Sequence, residues 1–216
     1  MNQLQLIGAI EIGLVYSLVA IGVYITFKII DFPDLTVDGS FTTGAAVSAA
    51  MIIAGWDPYV AILVSMLAGA IAGITTGYLN VRWQILGLLA SILTMTALYS
   101  INLRIMGRPN IAIMDSMSIF NSDQVMGTIL IILIIIVALI SKFFGTEIGL
   151  AIRAIGINQK ICTAYGINTG TMKIIALAIS NAIVALAGSI FAQSQGFADI
   201  SMGTGTIIVG LASVII

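Results

Sequence analysis

Between positions 34 and 43 the chain reads Asp-Leu-Thr-Val-Asp-Gly-Ser-Phe-Thr-Thr, a polar head on a run that is otherwise apolar to Ala54. Asp34, Thr36, Asp38, Ser40, Thr42 and Thr43 supply carboxylates and hydroxyls there, and Gly39 and Gly44 loosen any helix that carries them. Ionisable groups inside a membrane segment are costly and mark pathways for solutes or ions. A broken or tilted helix lining a water-filled route fits this composition, and so does a simple helix start in which Asp34 acts as a cap after Pro33. Both readings can hold together. Asn102, with Thr94, Thr96 and Ser100, and Asn181, with Gln193 and Gln195, place further amides and hydroxyls in apolar runs; they serve either interhelical hydrogen bonds or solute contacts. Glu11 sits either at an interface or in a polar cavity. Catalytic chemistry lacks its parts. The chain has no His, hence neither the commonest metal ligand nor the commonest general base, and one Cys, Cys162, which reads as a small apolar filler. No catalytic residue and no metal site are expected, and an integral membrane enzyme is disfavoured.

These groups need elements to hold them, and composition says which. The 216 residues are 60% hydrophobic and 8% charged, with a mean hydropathy of +1.16. A soluble domain is about 25% charged, so lipid must surround most of this chain. A net charge of −1 argues against a nucleic-acid partner. Apolar runs of roughly 20 residues read as transmembrane helices. They lie at about 6–27, 35–54, 58–79, 85–103, 125–144 and 171–193, with a last run from 202 to 216. The expected fold is an all-α polytopic bundle with about seven spans, forming a single transmembrane domain over 1–216. The last run is about 22 Å long at a helix's rise, short of a hydrocarbon core of about 30 Å, so the chain is expected to be a truncated piece. The first run has no preceding Lys or Arg and is read as a retained span rather than a secretory signal.

Charge gives the orientation. Lys142, Arg153, Lys160 and Lys173 fall within one loop between spans, and alternation places Lys28 and Arg82 on the same side. Only Arg104 and Arg108 fall on the other, in a longer loop of mixed charge at 104–124. The positive-inside rule makes the first side cytoplasmic and the N-terminus external, in a multi-pass inner-membrane protein.

Two patterns concern packing and symmetry. Gly69, Gly73 and Gly77 recur every fourth residue, a stripe that lets another helix approach closely, within or between subunits. Phe32-Pro33-Asp34-Leu35-Thr36-Val37 is echoed by Phe197-Ala198-Asp199-Ile200-Ser201-Met202. The copies are separated by an odd number of spans and therefore point in opposite directions, as in an inverted repeat.

Within the loop at 142–173, Asn158 reads as an N-cap and Gly166 as the residue after a helix end, enclosing about two turns. Ile161, Cys162 and Tyr165 give that helix an apolar side to bury against a soluble partner or lipid. Asn168 or Thr169 then caps the next span. The run Gly149-Leu-Ala-Ile-Arg153-Ala154-Ile-Gly156-Ile-Asn158, followed by Ala164-Tyr-Gly166-Ile-Asn168 and Lys173, resembles the coupling loop of ABC importer permeases of the branched-chain amino acid and ribose family. The stretches 31–41 and 93–107 are similar to a subgroup associated with amino-acid uptake, tryptophan and tyrosine included. The resemblance implies that residues 145–170 dock into an ATPase subunit, with Gly149, Arg153, Ala154, Gly156, Asn158, Ala164 and Gly166 in the coupling loop. It implies two permeases, two ATPases that carry the ATP and Mg, and an extracytoplasmic substrate-binding protein. No Gly-Lys pair exists here to build a phosphate-binding loop, so no cofactor is expected on this chain. Asp34, Thr36, Asp38, Ser40, Thr43 and Asn102 are the translocation-path candidates. The alternative is an ion- or proton-coupled secondary transporter using Glu11, Asp34, Asp38 or Asp199.

Overall fold

A computed structural model describes residues 3–113 and 125–215. Each apolar run becomes a helix. α1 (Gln3–Val23) continues through a π-helical turn, Tyr24–Ile29, and an irregular segment at 30–35 leads to α2 (Thr36–Ile53). α3 (Pro58–Trp83) and α4 (Gly87–Met106) follow, then β1 (Asn110–Ala112). The far part of the mixed-charge loop, 114–124, lies outside the described residues. After α5 (Val125–Phe144) come two short helices, α6 (Glu147–Ile157) and α7 (Gln159–Ala164), then α8 (Thr169–Gln195), β2 (Phe197–Asp199) and α9 (Thr206–Ile215).

Among the described residues, five segments are long and apolar enough to span a bilayer: Gln5–Ile29, α3, α4, α5 and α8. The other two expected spans differ for physical reasons. α9 has 10 residues, about 15 Å of helix. α2 has 18 residues, most of them buried, and carries its acids and hydroxyls inward. Its polar head bonds to residues in the interior of other helices: Asp34 to Asn181, twelve residues into α8, and Thr36 to Thr76, seven residues before the end of α3. α2 therefore starts within the bundle, and the segment at 30–35 carries the chain there from the end of α1.

The two ends of the bundle are distinct. β1 pairs antiparallel with β2, with Asn110 opposite Asp199 and Ala112 opposite Phe197, so the connections after α4 and after α8 share one end. At the other end α6 lies against the π-helical turn, where Gly156 faces the Ile29 carbonyl, and the start of α8 meets the end of α3, where Gly170 faces Val81. Lys28, Arg82 and the 142–173 loop thus gather at one end and Arg104 and Arg108 at the other, the division that the charge rule calls for.

Packing at the centre is set by small residues. A side chain at Gly44 would run into the Ala185 carbonyl, and one at Gly188 into the Phe41 carbonyl, so α2 and α8 touch backbone to backbone. Gly69, Gly73 and Gly77 bring α3 onto α8 in the same way, against Asn181 and Ala185, Leu177, and Ile174. The stripe is an intrachain contact. Phe41, fully buried, fills the space between α1 and α8, with its ring 6.1 Å from Tyr16 and 5.6 Å from Phe191.

The echoed motif has a local counterpart. In both copies an Asp side chain accepts the N–H two residues on: Thr36 donates to Asp34 (2.9 Å) and Ser201 to Asp199 (2.8 Å). Their surroundings differ, since Asp34 is enclosed and Asp199 lies at the outer rim.

Gly73→Val tests the α3–α8 contact. Overpacking of this kind costs about 1–3 kcal/mol, so the variant should melt clearly below wild type in detergent. Gly127→Ala on α5, where a Cβ meets nothing within 4 Å, should match or exceed wild type.

Candidate translocation and coupling sites

The polar head of α2 forms two groups. In the first, Asn181 uses its whole amide. Its Nδ2 donates to Asp34 Oδ2 (2.8 Å) and to the Leu177 carbonyl (3.0 Å), and its Oδ1 accepts from Ser40 Oγ (2.6 Å). Thr36 Oγ1 lies 2.7 Å from Thr76 Oγ1, and Gln193 Nε2 donates to Ser48 Oγ (3.0 Å). These bonds tie α2 to α3 and α8 inside a medium that offers no water. Asp34, Thr36 and Ser40 are fully buried. They hold the start of α2 in place and present no face to a solute in this conformation. An ion-coupled carrier needs an acid that exchanges with water, and Asp34 is enclosed by its partners.

The second group faces α4 and the start of α9. Asp38 Oδ1 accepts the Ile207 N–H (2.7 Å) and Oδ2 the Gly205 N–H (3.0 Å), while Thr42 Oγ1 accepts the Gly203 N–H (3.2 Å). The first N–H groups of a helix have no intrahelical acceptor. Asp38, 169 residues from Ile207 in the chain, supplies one for α9 and places its carboxylate at the positive end of that helix. Next to this cap lies a cavity of about 40 Å³, lined by Asp38, Thr42, Met95, Tyr99, Asn102 and Thr204 among others. Asn102 Nδ2 reaches the Gly39 carbonyl at 3.5 Å, and its Oδ1 has no hydrogen-bond partner. Thr43 bonds back to its own helix, at the Gly39 carbonyl. The hydroxyls of Thr94 and Thr96 likewise return to carbonyls of α4, so of that helix's named polar residues Asn102 is the one bonded across to α2. Glu11, half-buried on α1, lies outside both groups.

At the outer end, Asn110 Nδ2 donates to Asp199 Oδ2 across the ribbon (3.1 Å). The Ser201 hydroxyl and N–H hold the Asp199 carboxyl below the usual carboxylate range against the opposing effect of burial, with a lesser contribution from Asn110.

The loop at 142–173 contains the expected two-turn helix and a second helix that the caps did not reveal. Asn158 Oδ1 accepts the Ile161 N–H (3.1 Å), and Gly166 follows α7 at φ +78°, a left-handed conformation that glycine adopts without strain. Asn168, not Thr169, caps α8, through the Thr171 N–H (3.1 Å). The unforeseen helix is α6, where Thr146 Oγ1 accepts the Gly149 N–H (3.3 Å) and Glu147 stands in the first turn. Thr146 and Glu147 were the available signal. Gly149 and Gly156 point inward, against the Phe143 and Ile29 carbonyls. They seat α6 on the bundle rather than offering surface to a partner. Ala154 is half-buried, whereas Arg153, Asn158, Ala164 and Gly166 are exposed. The apolar side of α7 divides. Cys162 is 4% exposed and packs inward, while Tyr165 (82% exposed) and Ile161 join Ile157 (87%) in an outward apolar patch. α7 is anchored to α8, since Lys173 Nζ donates to Gln159 Oε1 (2.9 Å) and Gln159 Nε2 to Thr169 Oγ1 (3.4 Å).

A bundle of apolar helices with a buried polar centre and capped helices at its positive end defines a polytopic helical membrane protein. Comparison with known proteins agrees. The chain belongs to the branched-chain amino acid transport system / permease component family, whose profile matches residues 6–216. It is 42% identical to a tyrosine transport system permease protein of Clostridioides difficile (strain R20291), over 98% of this chain and 72% of that protein. It is 36% identical to an uncharacterized protein of Rickettsia prowazekii (strain Madrid E), over 98% and 76%, and 26% identical to a ribose import permease protein of Haemophilus influenzae, over 94% and 65%. No solved structure matches it. The chain is thus a multi-pass inner-membrane permease.

Asn181→Leu should be among the most damaging substitutions in the molecule. It strips Asp34 and Ser40 of partners at once, and an unpaired buried polar group costs about 1–3 kcal/mol, more when charged. Thermal unfolding in detergent should show a large loss of stability. A double variant, Asp34→Leu with Asn181→Leu, should recover part of it.

Proposed function

We propose that this permease subunit works in an ABC importer, moving a small solute across the inner membrane with energy from a separate ATPase. An amino acid is the solute class favoured, with tyrosine the first to test, given the 42% identity to a tyrosine transport permease. The working assembly has two permease copies, two ATPase subunits that bind ATP and Mg, and an extracytoplasmic substrate-binding protein.

The observation that carries the coupling half of this reading is the outward patch of Ile157, Ile161 and Tyr165, with Arg153 and Lys160 exposed nearby on α6 and α7, which the bundle seats firmly. A soluble subunit with an apolar cleft and an acidic rim buries such a surface. α6 then relays its movement directly, because Gly156 leaves no gap between α6 and the Ile29 carbonyl. Ile29 ends the π-helical turn before the segment that leads to α2, and α2 holds α9 through Asp38. A displacement of α6 therefore reaches the cavity beside Asn102 through one continuous run of packed backbone.

The test uses the permease reconstituted with its ATPase and binding protein. Ile157→Asp and Tyr165→Asp should lower solute-stimulated ATP hydrolysis and tyrosine uptake together, by about tenfold or more, as for residues central to an interface. Membrane insertion and melting temperature should not change, since both side chains are exposed. Coupling that survives both substitutions would mean that the loop serves topology alone.

A further inference from the structure

The cavity beside Asp38 has a one-sided chemistry. Its polar lining consists of a carboxylate (Asp38), an amide (Asn102) and three hydroxyls (Thr42, Tyr99 and Thr204), with no Lys or Arg. Arg104 lies two positions beyond Asn102, about 200° round the helix, and is exposed. The Asp38 oxygens each receive one N–H, from Ile207 and Gly205, and a carboxylate oxygen has room for a second donor. Asn102 is 1% exposed, its Nδ2 turns to the Gly39 carbonyl, and its Oδ1 is a buried acceptor without a partner. Thr42 is engaged already, donating to the Asp38 carbonyl (3.1 Å) and accepting from Gly203 (3.2 Å). What this lining lacks is a cationic donor, and its strongest acceptors are the Asp38 carboxylate and the unpartnered Asn102 oxygen. Tyr99 and Thr204 are exposed, so the cavity opens at the bundle surface between them. Asn102 stands in the last two turns of α4, before Arg108 and β1, which places the opening toward the outer end.

Size limits the ligand. A cavity of about 40 Å³ holds roughly two or three waters. It admits a primary ammonium group and excludes a quaternary one, with the rest of the ligand at the mouth beside Tyr99, whose ring also favours a cation. We infer that the cavity formed by α2, α4 and the start of α9 binds the primary ammonium group of the transported solute, with Asp38 and Asn102 as its acceptors. The inference rests on the importer reading above and deepens it, since it makes the permease itself select for amino-bearing solutes. It also links binding to movement, because the carboxylate that receives the ammonium is the one that caps α9. A cation on Asp38 weakens its hold on the Gly205 and Ile207 N–H groups.

A rim thiol reads this chemistry without a known substrate. Thr204→Cys is placed in a Cys162→Ser background, in nanodiscs, leaving Asp38 and Asn102 intact. Three methanethiosulfonates are compared, bearing aminoethyl, trimethylammonioethyl and sulfonatoethyl groups. The aminoethyl reagent should react about tenfold faster than the sulfonate, in line with field focusing by a charged cleft, and severalfold faster than the trimethylammonio reagent. Its lead over the trimethylammonio reagent should vanish in Asn102→Leu and in Asp38→Asn. Asn102→Leu leaves the α9 cap in place and keeps the test open should Asp38→Asn fail to fold. Equal rates for the two cations, or a preference that survives Asn102→Leu, would overturn the site. Transport separates this inference from the reading beneath it. Tyrosine uptake that des-amino tyrosine competes as well as tyrosine itself would overturn ammonium recognition and leave the importer standing. A reconstituted system that moves no amino acid, while the aminoethyl preference holds, would overturn the amino-acid importer and leave the cavity's selectivity in place.

Discussion

α2 and α8 meet with no side chain between them at Gly44 and Gly188, and the rest of the bundle is arranged around that contact. Helices in lipid gain nothing from hiding apolar surface from water, so they associate through close backbone approach and hydrogen bonds between them. Both occur here along one seam. The glycines set the separation, and the Asp34–Asn181–Ser40 bonds set the register. α3 then joins α8 along its own glycine stripe, and Phe41 fills the remaining space toward α1. The irregular segment at 30–35 is acceptable because protein surrounds it: Phe32 donates its N–H to the Thr26 carbonyl (2.8 Å), and Ser91 reaches the Pro33 carbonyl (3.4 Å).

Starting α2 inside the bundle has two consequences. It puts Asp38 and Thr42 level with the first residues of α9, so one helix supplies the acceptors that another lacks. It also leaves the short connection from α1 to α2 open to pressure from α6. In the proposed importer, the positive end of the molecule and the polar cavity nearer its outer end are the two ends of one mechanical path. The stiff parts of that path are backbone contacts at glycine. Its adjustable part is a set of hydrogen bonds from a carboxylate to N–H groups, which a change of local charge can loosen.

Much of this was legible in the sequence. The limits of α5 follow from its apolar run alone, and Pro58 marks the start of α3. Asn158, Gly166 and Asn168 announce α7 and the start of α8 because caps act within three or four residues. α6 was harder, since its Thr146 cap stands in a stretch where apolar and charged residues mix without a plain boundary. The translocation candidates were legible as a group but not by role. Asp34, Thr36 and Ser40 became structural ties and Asp38 a helix cap, while Asn102 kept an unpaired oxygen. The β1–β2 ribbon carried no signal, because each strand has three residues and its partner lies four helices away in the chain.

The sequence by itself determined that this chain lives in a membrane, where its long helices lie, which end is positive and which caps close α7 and open α8. Those properties depend on composition and on neighbours a few residues apart. Tertiary structure alone decided what each polar group does. In a medium without water, a buried donor or acceptor takes its meaning from the partner that reaches it. Asp38 accepts N–H groups 167 and 169 residues away, and Asn181 donates to a carboxylate 147 residues away.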